Sequence, residues 1–265
     1  MASLRQKRES FCQKSASNDG RLAVTCPVKA SSPSSRGKSD ENSHSAVRVH
    51  SEPIQIPVEE GILLEGDLAL PDNTERVVLF VHGSGSSRHS PRNQFVARCI
   101  QNSGTGTLLF DLLTRDEDEE DSHNARWRFD IDLLAGRLAT ATEWIAEHAS
   151  TRHLGIGYFG SSTGGAAATR AAAELGPMVD AVVSRGGRPD LAGSALVRVE
   201  TATLLIVGGR DDLVMRLNEE ALSQLHCTKQ LVIVPRATHL FEESGALDQV
   251  ATLAANWFQR YLKRR

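Results

Sequence analysis

Three residue types at three places in this chain could together perform nucleophilic chemistry. Gly160-Ser161-Ser162-Thr163-Gly164 fits the pattern G-x-S-x-G. It follows the strand-like LGIGYF and precedes the helix-like GGAAATRAAAEL, the strand–turn–helix setting that presents a serine hydroxyl on a sharp turn. Glycines two before and two after Ser162 remove side chains that would collide across that turn. The helix N-terminus beyond it favours developing negative charge. A serine in this place could equally be a plain helix cap.

A serine needs a base to attack a carbonyl at neutral pH. Downstream, the strand TLLIVGG leads into Arg210-Asp211-Asp212-Leu213-Val214, and the strand QLVIVP leads into Arg236-Ala237-Thr238-His239-Leu240. Ser162, then an aspartate, then His239 is one of the known chain orders for such a triad. Either Asp211 or Asp212 could accept from the His239 ring N–H and hold the tautomer that takes the serine proton. Upstream, His82-Gly83-Ser84-Gly85-Ser86-Ser87 follows the strand RVVLFV. Its backbone N–H of Ser84, with Gly85 as second choice, and the N–H of Thr163 would form an oxyanion hole. Such donors each supply about 2.7–4 kcal/mol of transition-state stabilisation. The glycine-rich run is neither a phosphate loop nor a dinucleotide fingerprint.

These residues need a scaffold that brings distant loops together. Pro53–Val58 and Ile62–Leu70 read as a hairpin, with Glu59, Glu60 and Gly61 as its turn. Arg76–His82, Thr107–Phe110, Leu154–Phe159, Val179–Ser184, Thr203–Val207 and Gln230–Val234 are short continuous apolar runs, as in strands buried on both faces. Helical patterns separate them: Pro91–Gln101, Ile131–His148, Ser162–Glu174, Arg216–Leu225 and Ala246–Leu262. This alternation predicts an α/β fold. Its mostly parallel twisted sheet has about eight strands, helices on both faces and an N-terminal antiparallel hairpin at its edge. The acidic run Asp116–Asp121 reads as a solvated loop.

Composition bounds the function classes. The length of 265 residues suits one α/β domain, and a net charge of −3 gives no footprint for nucleic acid. No apolar run approaches the roughly 20 residues of a membrane span. The four cysteines, Cys12, Cys26, Cys99 and Cys227, form no CxxC pair, which points to a reducing compartment and away from zinc. No metal or organic cofactor is implied. Residues 1–45 are rich in Ser, Lys and Arg, with eight basic residues and two acids through Ser39. They read as a disordered tail with the composition of a mitochondrial or plastid transit peptide, ahead of a domain over 46–265. Without that role for the tail, the chain is cytoplasmic.

The spans HGSGSSRHSPRN (82–93), TLLFDLLT (107–114), GYFGSSTGG (157–165), SRGGRPDLAG (184–193), GGRDDLV (208–214) and ATHLFEESGAL (237–247) carry a family resemblance. Together they resemble the dienelactone hydrolase-like branch of the α/β-hydrolase superfamily, in a subgroup often associated with phosphoribosyltransferase domains. The resemblance covers about residues 51–263. It implies the α/β-hydrolase fold, the triad Ser162, Asp211 and His239, and a functional link to a phosphoribosyltransferase. In the family's D-x-x-V pattern the first aspartate is the triad member, which favours Asp211 over Asp212. One departure stands out: dienelactone hydrolases use a cysteine nucleophile where this chain has Ser162. That argues against dienelactone itself as substrate.

The expectation from the sequence is therefore a serine hydrolase acting on an ester, thioester or lactone of a small acyl substrate. Its rivals are an acyltransferase using the same triad, and a hydrolase fold kept as a binding module. Arg185 and Arg188 follow the strand VDAVVS, and Arg88 follows the oxyanion loop. Ligands of open α/β sheets bind at that end, so these three arginines are candidates to recognise an anionic substrate. Equally, Arg188 could pair with Asp190 or with the acidic run.

Overall fold

The structure, a computed structural model, describes residues 47–265. The expected tail over 1–45 lies outside the described residues.

All eight expected strands are present. The hairpin comprises β1 (Val49–Glu59) and β2 (Ile62–Pro71), with a bulge between Pro57 and Glu59. After it come β3 (Arg76–Val81), β4 (Gly106–Phe110), β5 (Gly155–Ser161), β6 (Ala181–Arg185), β7 (Ala202–Gly208) and β8 (Lys229–Val234). They make one sheet in the order β1-β2-β4-β3-β5-β6-β7-β8. β1 and β2 run antiparallel to each other, β2 runs antiparallel to β4, and the remaining pairs are parallel.

The continuous apolar runs have a simple cause. Successive side chains of a strand point to opposite faces. In β3, Val77, Leu79 and Val81 enter one core, and Val78 and Phe80 enter the other. The first core packs under α3 (Ile131–Glu147) and α4 (Thr163–Leu175), the second under α1 (Pro91–Asn102) and α6 (Ala246–Tyr261). Alanine dominates the buried stripe of α4, with Ala166, Ala167, Ala168, Ala171 and Ala172 fully buried. Their small side chains let this helix lie close to α3 and to the sheet. A segment of short 3-10 turns over Pro189–Arg198 and helix α5 (Asp212–Gln224) close a third, smaller cluster. No helix among the described residues is long and apolar enough to cross a membrane.

One sequence expectation is corrected. The acidic run Asp116–Asp121 is not a loop but the body of helix α2 (Arg115–Asn124). Thr114 caps it, accepting from the Glu117 N–H, while the Glu117 carboxylate accepts from the Thr114 N–H. That reciprocal box was already spelled in the sequence as Thr-x-x-Glu. Acids in the first turn also suit the positive end of the helix dipole. Glu117 then forms a two-pronged bridge to Arg137 of α3, which is 3% exposed. Asp121 is buried and accepts from the N–H groups of Trp127 and Arg128.

His82, at the end of β3, ties the neighbouring loops together. Its Nδ1 lies 3.0 Å from the Gly83 carbonyl, and its Nε2 accepts from the Leu112 N–H at 3.0 Å. Both bonds together require a neutral ring protonated at Nδ1. Burial lowers the pKa of His82 from the ordinary 6.5. A depressed folded value means the unfolded chain takes up the proton first, so this contribution is present above the ordinary value and is lost as pH falls below it. Thermal melting should thus show a loss of stability on acidification from pH about 6.5 downward. A His82→Gln variant should show a shallower loss over the same window. An unchanged slope in that variant would remove His82 as the cause.

Candidate active site

The expected functional loops all leave the carboxyl ends of parallel strands β3, β5, β7 and β8. β5 and β3 are neighbours, as are β7 and β8. The fold therefore collects at one edge residues that lie up to 157 positions apart, from His82 to His239.

Ser162 sits between β5 and α4 with φ +51° and ψ −122°, a conformation that a residue with a side chain rarely adopts. Such strain costs on the order of 1–3 kcal/mol and persists only where surrounding structure imposes it. The surroundings here are close backbone contacts. A Cβ on Gly160 would lie 2.5 Å from the Gly164 carbonyl oxygen, and one on Gly164 would lie 2.1 Å from the Val81 carbonyl oxygen. Across the turn, Gly83 approaches so closely that a Cβ there would be 2.9 Å from the Ser162 Cβ. The Ser162 N–H donates to the Arg185 carbonyl at 3.3 Å, and the Ser162 carbonyl accepts from the Arg188 N–H at 3.0 Å. The Ser162 side chain makes no helix-capping hydrogen bond.

His239 and Asp211 meet across the loops after β8 and β7. The His239 Nδ1 lies 2.6 Å from the Asp211 Oδ2. Gly208 permits this, because any Cβ there would fall 2.4 Å from the Ala237 carbonyl oxygen. The two loops are further tied by the Arg210 N–H donating to the Ala237 carbonyl at 2.9 Å. Asp211 stands at the head of α5 yet makes no capping bond with its side chain, leaving the carboxylate on the imidazole. Asp212 is exposed on the first turn of α5. His239 is partly exposed, and its Cε1 lies 3.5 Å from the position of a Cβ on Gly186. That contact sets the His239 ring against Gly186, the residue after Arg185, whose carbonyl accepts the Ser162 N–H.

Thr163 opens α4, and its side chain reaches the loop after β3. The Ser84 N–H donates to the Thr163 Oγ1 at 2.9 Å. The expected second oxyanion donor is thus engaged by a hydroxyl neighbour in the resting structure, a pairing that spacing alone does not reveal.

The three arginines singled out in the sequence have different fates. Arg88 is held by Asp111, by Glu65 at 2.6 Å and by Asp67 at 3.5 Å; against the cost of burial, Asp111 and Glu65 raise its pKa. Arg188 grips Asp190 with Nε at 2.9 Å and Nη2 at 2.8 Å, the pairing considered as its alternative. The forks of both are therefore committed within the chain. Arg185 is 6% exposed and donates from Nη2 to the Ser161 Oγ at 3.0 Å and the Asn93 Oδ1 at 3.3 Å. Asn93, a buried polar residue on α1, is not among the candidates that the sequence patterns point to. An asparagine inside an otherwise amphipathic helix was its only signal.

Beside the loop after β3 lies a cleft of about 600 Å³. Its walls include His82, Ser86, Arg88, Asp111, Asp116 and Asp118. The triad candidates do not line it. Among the described residues no group of three or more His, Cys, Asp or Glu is arranged to hold a metal ion.

Against known proteins, the chain is similar to a dienelactone hydrolase from Anabaena variabilis, with 55% identity and a TM-score of 0.80 over 81% of this chain and 99% of that one. It also shares its fold with a dienelactone hydrolase-like promiscuous phosphotriesterase from metagenomic libraries, at 15% identity and a TM-score of 0.67 over 81% of this chain and 99% of that one. An esterase domain of a Rhodothermus marinus protein matches at 19% identity and a TM-score of 0.63, over 81% of this chain and all of that domain. Two Mycobacterium tuberculosis sequences, provisionally named as phosphoribosyl transferases, are 53% identical over 197 residues, or 74% of this chain. The chain spans only 44% of the length of those relatives. The model of the dienelactone hydrolase family matches residues 64–263, a span that holds every strand from β3 to β8 and all the loops just described, and the chain belongs to that family.

Proposed function

We propose that this protein is a serine hydrolase that cleaves a carboxylic ester, thioester or lactone through an acyl-enzyme. One observation carries the reading: the 2.6 Å contact between His239 Nδ1 and Asp211 Oδ2, made at the same sheet edge as a serine held at positive φ. With Nδ1 donating to Asp211, His239 Nε2 is left as an acceptor.

In this mechanism Ser162 Oγ forms a bond to the substrate carbonyl carbon as its proton passes to His239 Nε2. The carbonyl π pair moves onto oxygen, giving a tetrahedral oxyanion. Collapse re-forms the carbonyl and expels the leaving group, which takes the proton from His239. Water repeats the sequence on the acyl-enzyme, releasing the acid and restoring Ser162. Asp211 holds the ring and stabilises the imidazolium without taking its proton.

The Thr163 N–H, at the first turn of α4, is the first oxyanion donor. The Ser84 N–H serves as the second once the oxyanion takes the place of the Thr163 hydroxyl as its acceptor. The commitments of Arg88 and Arg188 to internal carboxylates favour a substrate recognised by shape and carbonyl chemistry over one recognised through those two guanidinium groups. Serine at the nucleophile position favours esters over the dienelactone of the family's name.

A fluorophosphonate probe tests the reading, because it labels only an activated serine. The expected result is a single adduct on the peptide containing Ser162, together with hydrolysis of a neutral p-nitrophenyl ester. A protein that binds small esters but neither labels nor turns over would be a binding module instead.

A further inference from the structure

Among the described residues, Arg185 is a buried cation without an anion. It forms no ion pair among them, although only 6% of it is exposed. Arg137 shows how this fold treats a buried guanidinium otherwise: equally enclosed, it is met by Glu117 through two hydrogen bonds and by Glu59. Among the described residues Arg185 has only neutral partners, the Ser161 hydroxyl and the Asn93 amide oxygen, and its buried Nε meets no acceptor. Its Cζ stands 5.8 Å from the centre of the Phe241 ring. Burial, and then the like charge of Arg92, push its pKa down to about 10, so it remains protonated at neutral pH.

The resting fold does not need this charge. The Ser161 hydroxyl already donates to the Asn93 Oδ1 at 3.1 Å, so the two would satisfy each other without the arginine. An uncompensated buried charge is costly, and replacing buried charge by an apolar side chain of similar volume is often neutral or stabilising. The charge therefore answers to something that the resting fold lacks. Its location indicates what. The Arg185 carbonyl accepts the Ser162 N–H, and its guanidinium is bonded to the side chain of Ser161, the adjacent residue. Towards the loop that carries His239, the guanidinium instead meets the Phe241 ring, an apolar neighbour. The positive charge is thus coupled more directly to the serine side of the triad than to the imidazole side.

We propose that Arg185 is an electrostatic positioning residue whose buried, unpaired guanidinium, fixed by Ser161 and Asn93, stabilises the negative charge that develops on the oxyanion bound to Ser162. It acts through the nucleophile turn and does not touch substrate. This role rests on the reading of Ser162 as nucleophile. A fixed positive charge in a dry site needs no reorganisation as the reaction proceeds, which is why such groups act on the transition state more than on the bound substrate.

The test compares Arg185→Met, Arg185→Gln and Arg185→Lys in the full chain, on a neutral p-nitrophenyl ester so that no substrate anion is involved. Arg185→Met should lower kcat by about 10- to 100-fold, less than loss of a direct oxyanion donor, with KM within about twofold. Its melting temperature should stay level or rise. Arg185→Lys should recover most of the lost kcat. Arg185→Gln should not, although it can still hydrogen-bond Ser161. Equal activity of the Gln and Lys variants would overturn the proposal, since hydrogen bonding would then suffice. So would a Met variant that melts several degrees lower and loses activity only in step with its folded fraction. The Lys–Gln comparison stands even if the Met variant fails to fold. If wild-type protein labels with fluorophosphonate and all three variants match it, this proposal alone falls. If wild-type protein neither labels nor turns over, the reading of Ser162 falls and takes the role of Arg185 with it.

Discussion

Ser162→Ala is expected to lower ester turnover by about 10⁶-fold, the scale of loss when one member is removed from a triad that acts as a unit. The alanine should also abolish fluorophosphonate labelling while leaving the melting temperature nearly unchanged. The second expectation follows from the turn. The Ser162 hydroxyl makes no helix-capping bond, and alanine at φ +51° meets the same backbone strain as serine does. Glycine carries no such penalty. Ser162→Gly should thus be equally inactive but more stable than the wild type, by about 1 kcal/mol. Stability gained as activity vanishes would mark the strain as serving the hydroxyl's position. The measurements are steady-state kinetics on one good substrate and thermal melting of the three proteins. An alanine variant that keeps more than a small fraction of turnover removes Ser162 from the mechanism.

Asp211→Asn should lower kcat by about 10⁴-fold, whereas Asp212→Asn should change it by less than about threefold. The asparagine amide can donate to His239 Nδ1. The ring would then be held with its proton on Nε2, where it cannot accept from Ser162. Asp212 has no contact with the imidazole. Its carboxylate sits in the first turn of α5, where neutralisation removes a favourable interaction with the helix dipole of about 0.3–1 kcal/mol. The Asp212 variant should thus lose a little stability and no chemistry, the reverse of the Asp211 variant. Equal losses of kcat in the two, or the opposite order, would show that His239 is oriented differently in the working enzyme.

Much of the scaffold was legible in the sequence because its signals are local. Apolar runs such as RVVLFV and TLLIV place side chains on both faces of a sheet, and each became a strand: RVVLFV is shared between the first and second cores, and TLLIV between the second core and the third, smaller cluster. Gly160 and Gly164 announced a tight turn around Ser162, and the backbone contacts that they permit were found there. The order of serine, aspartate and histidine, each after a strand, by itself implies that all three candidates lie at one end of a parallel sheet. The helix over Arg115–Asn124 was legible too. The Thr114–Glu117 capping box is spelled in the sequence, and the acidic residues that follow Thr114 suit a helix N-terminus.

Tertiary structure decided what depends on partners far away along the chain. Asp211 and Asp212 are adjacent and chemically alike, so their own chemistry does not distinguish them, and in the sequence only the family's D-x-x-V pattern favours Asp211. Their difference arises because Gly208 lets the loop after β8 press against the loop after β7, bringing His239 to one carboxylate and not the other. The arginines follow the same rule. Arg88 is enclosed by Glu65 and Asp67 from β2 and by Asp111 beyond β4, contacts set by the strand order β2-β4-β3. Arg185 lies in register with Ser161 across two parallel strands and faces Asn93 on a helix 92 residues earlier. Sequence fixes which side chains carry charge and which face of an element they occupy. Whether a charge meets a counter-ion, water or nothing is set by long-range packing, because Coulomb energy depends on separation and local dielectric, and neither exists until the strands are side by side.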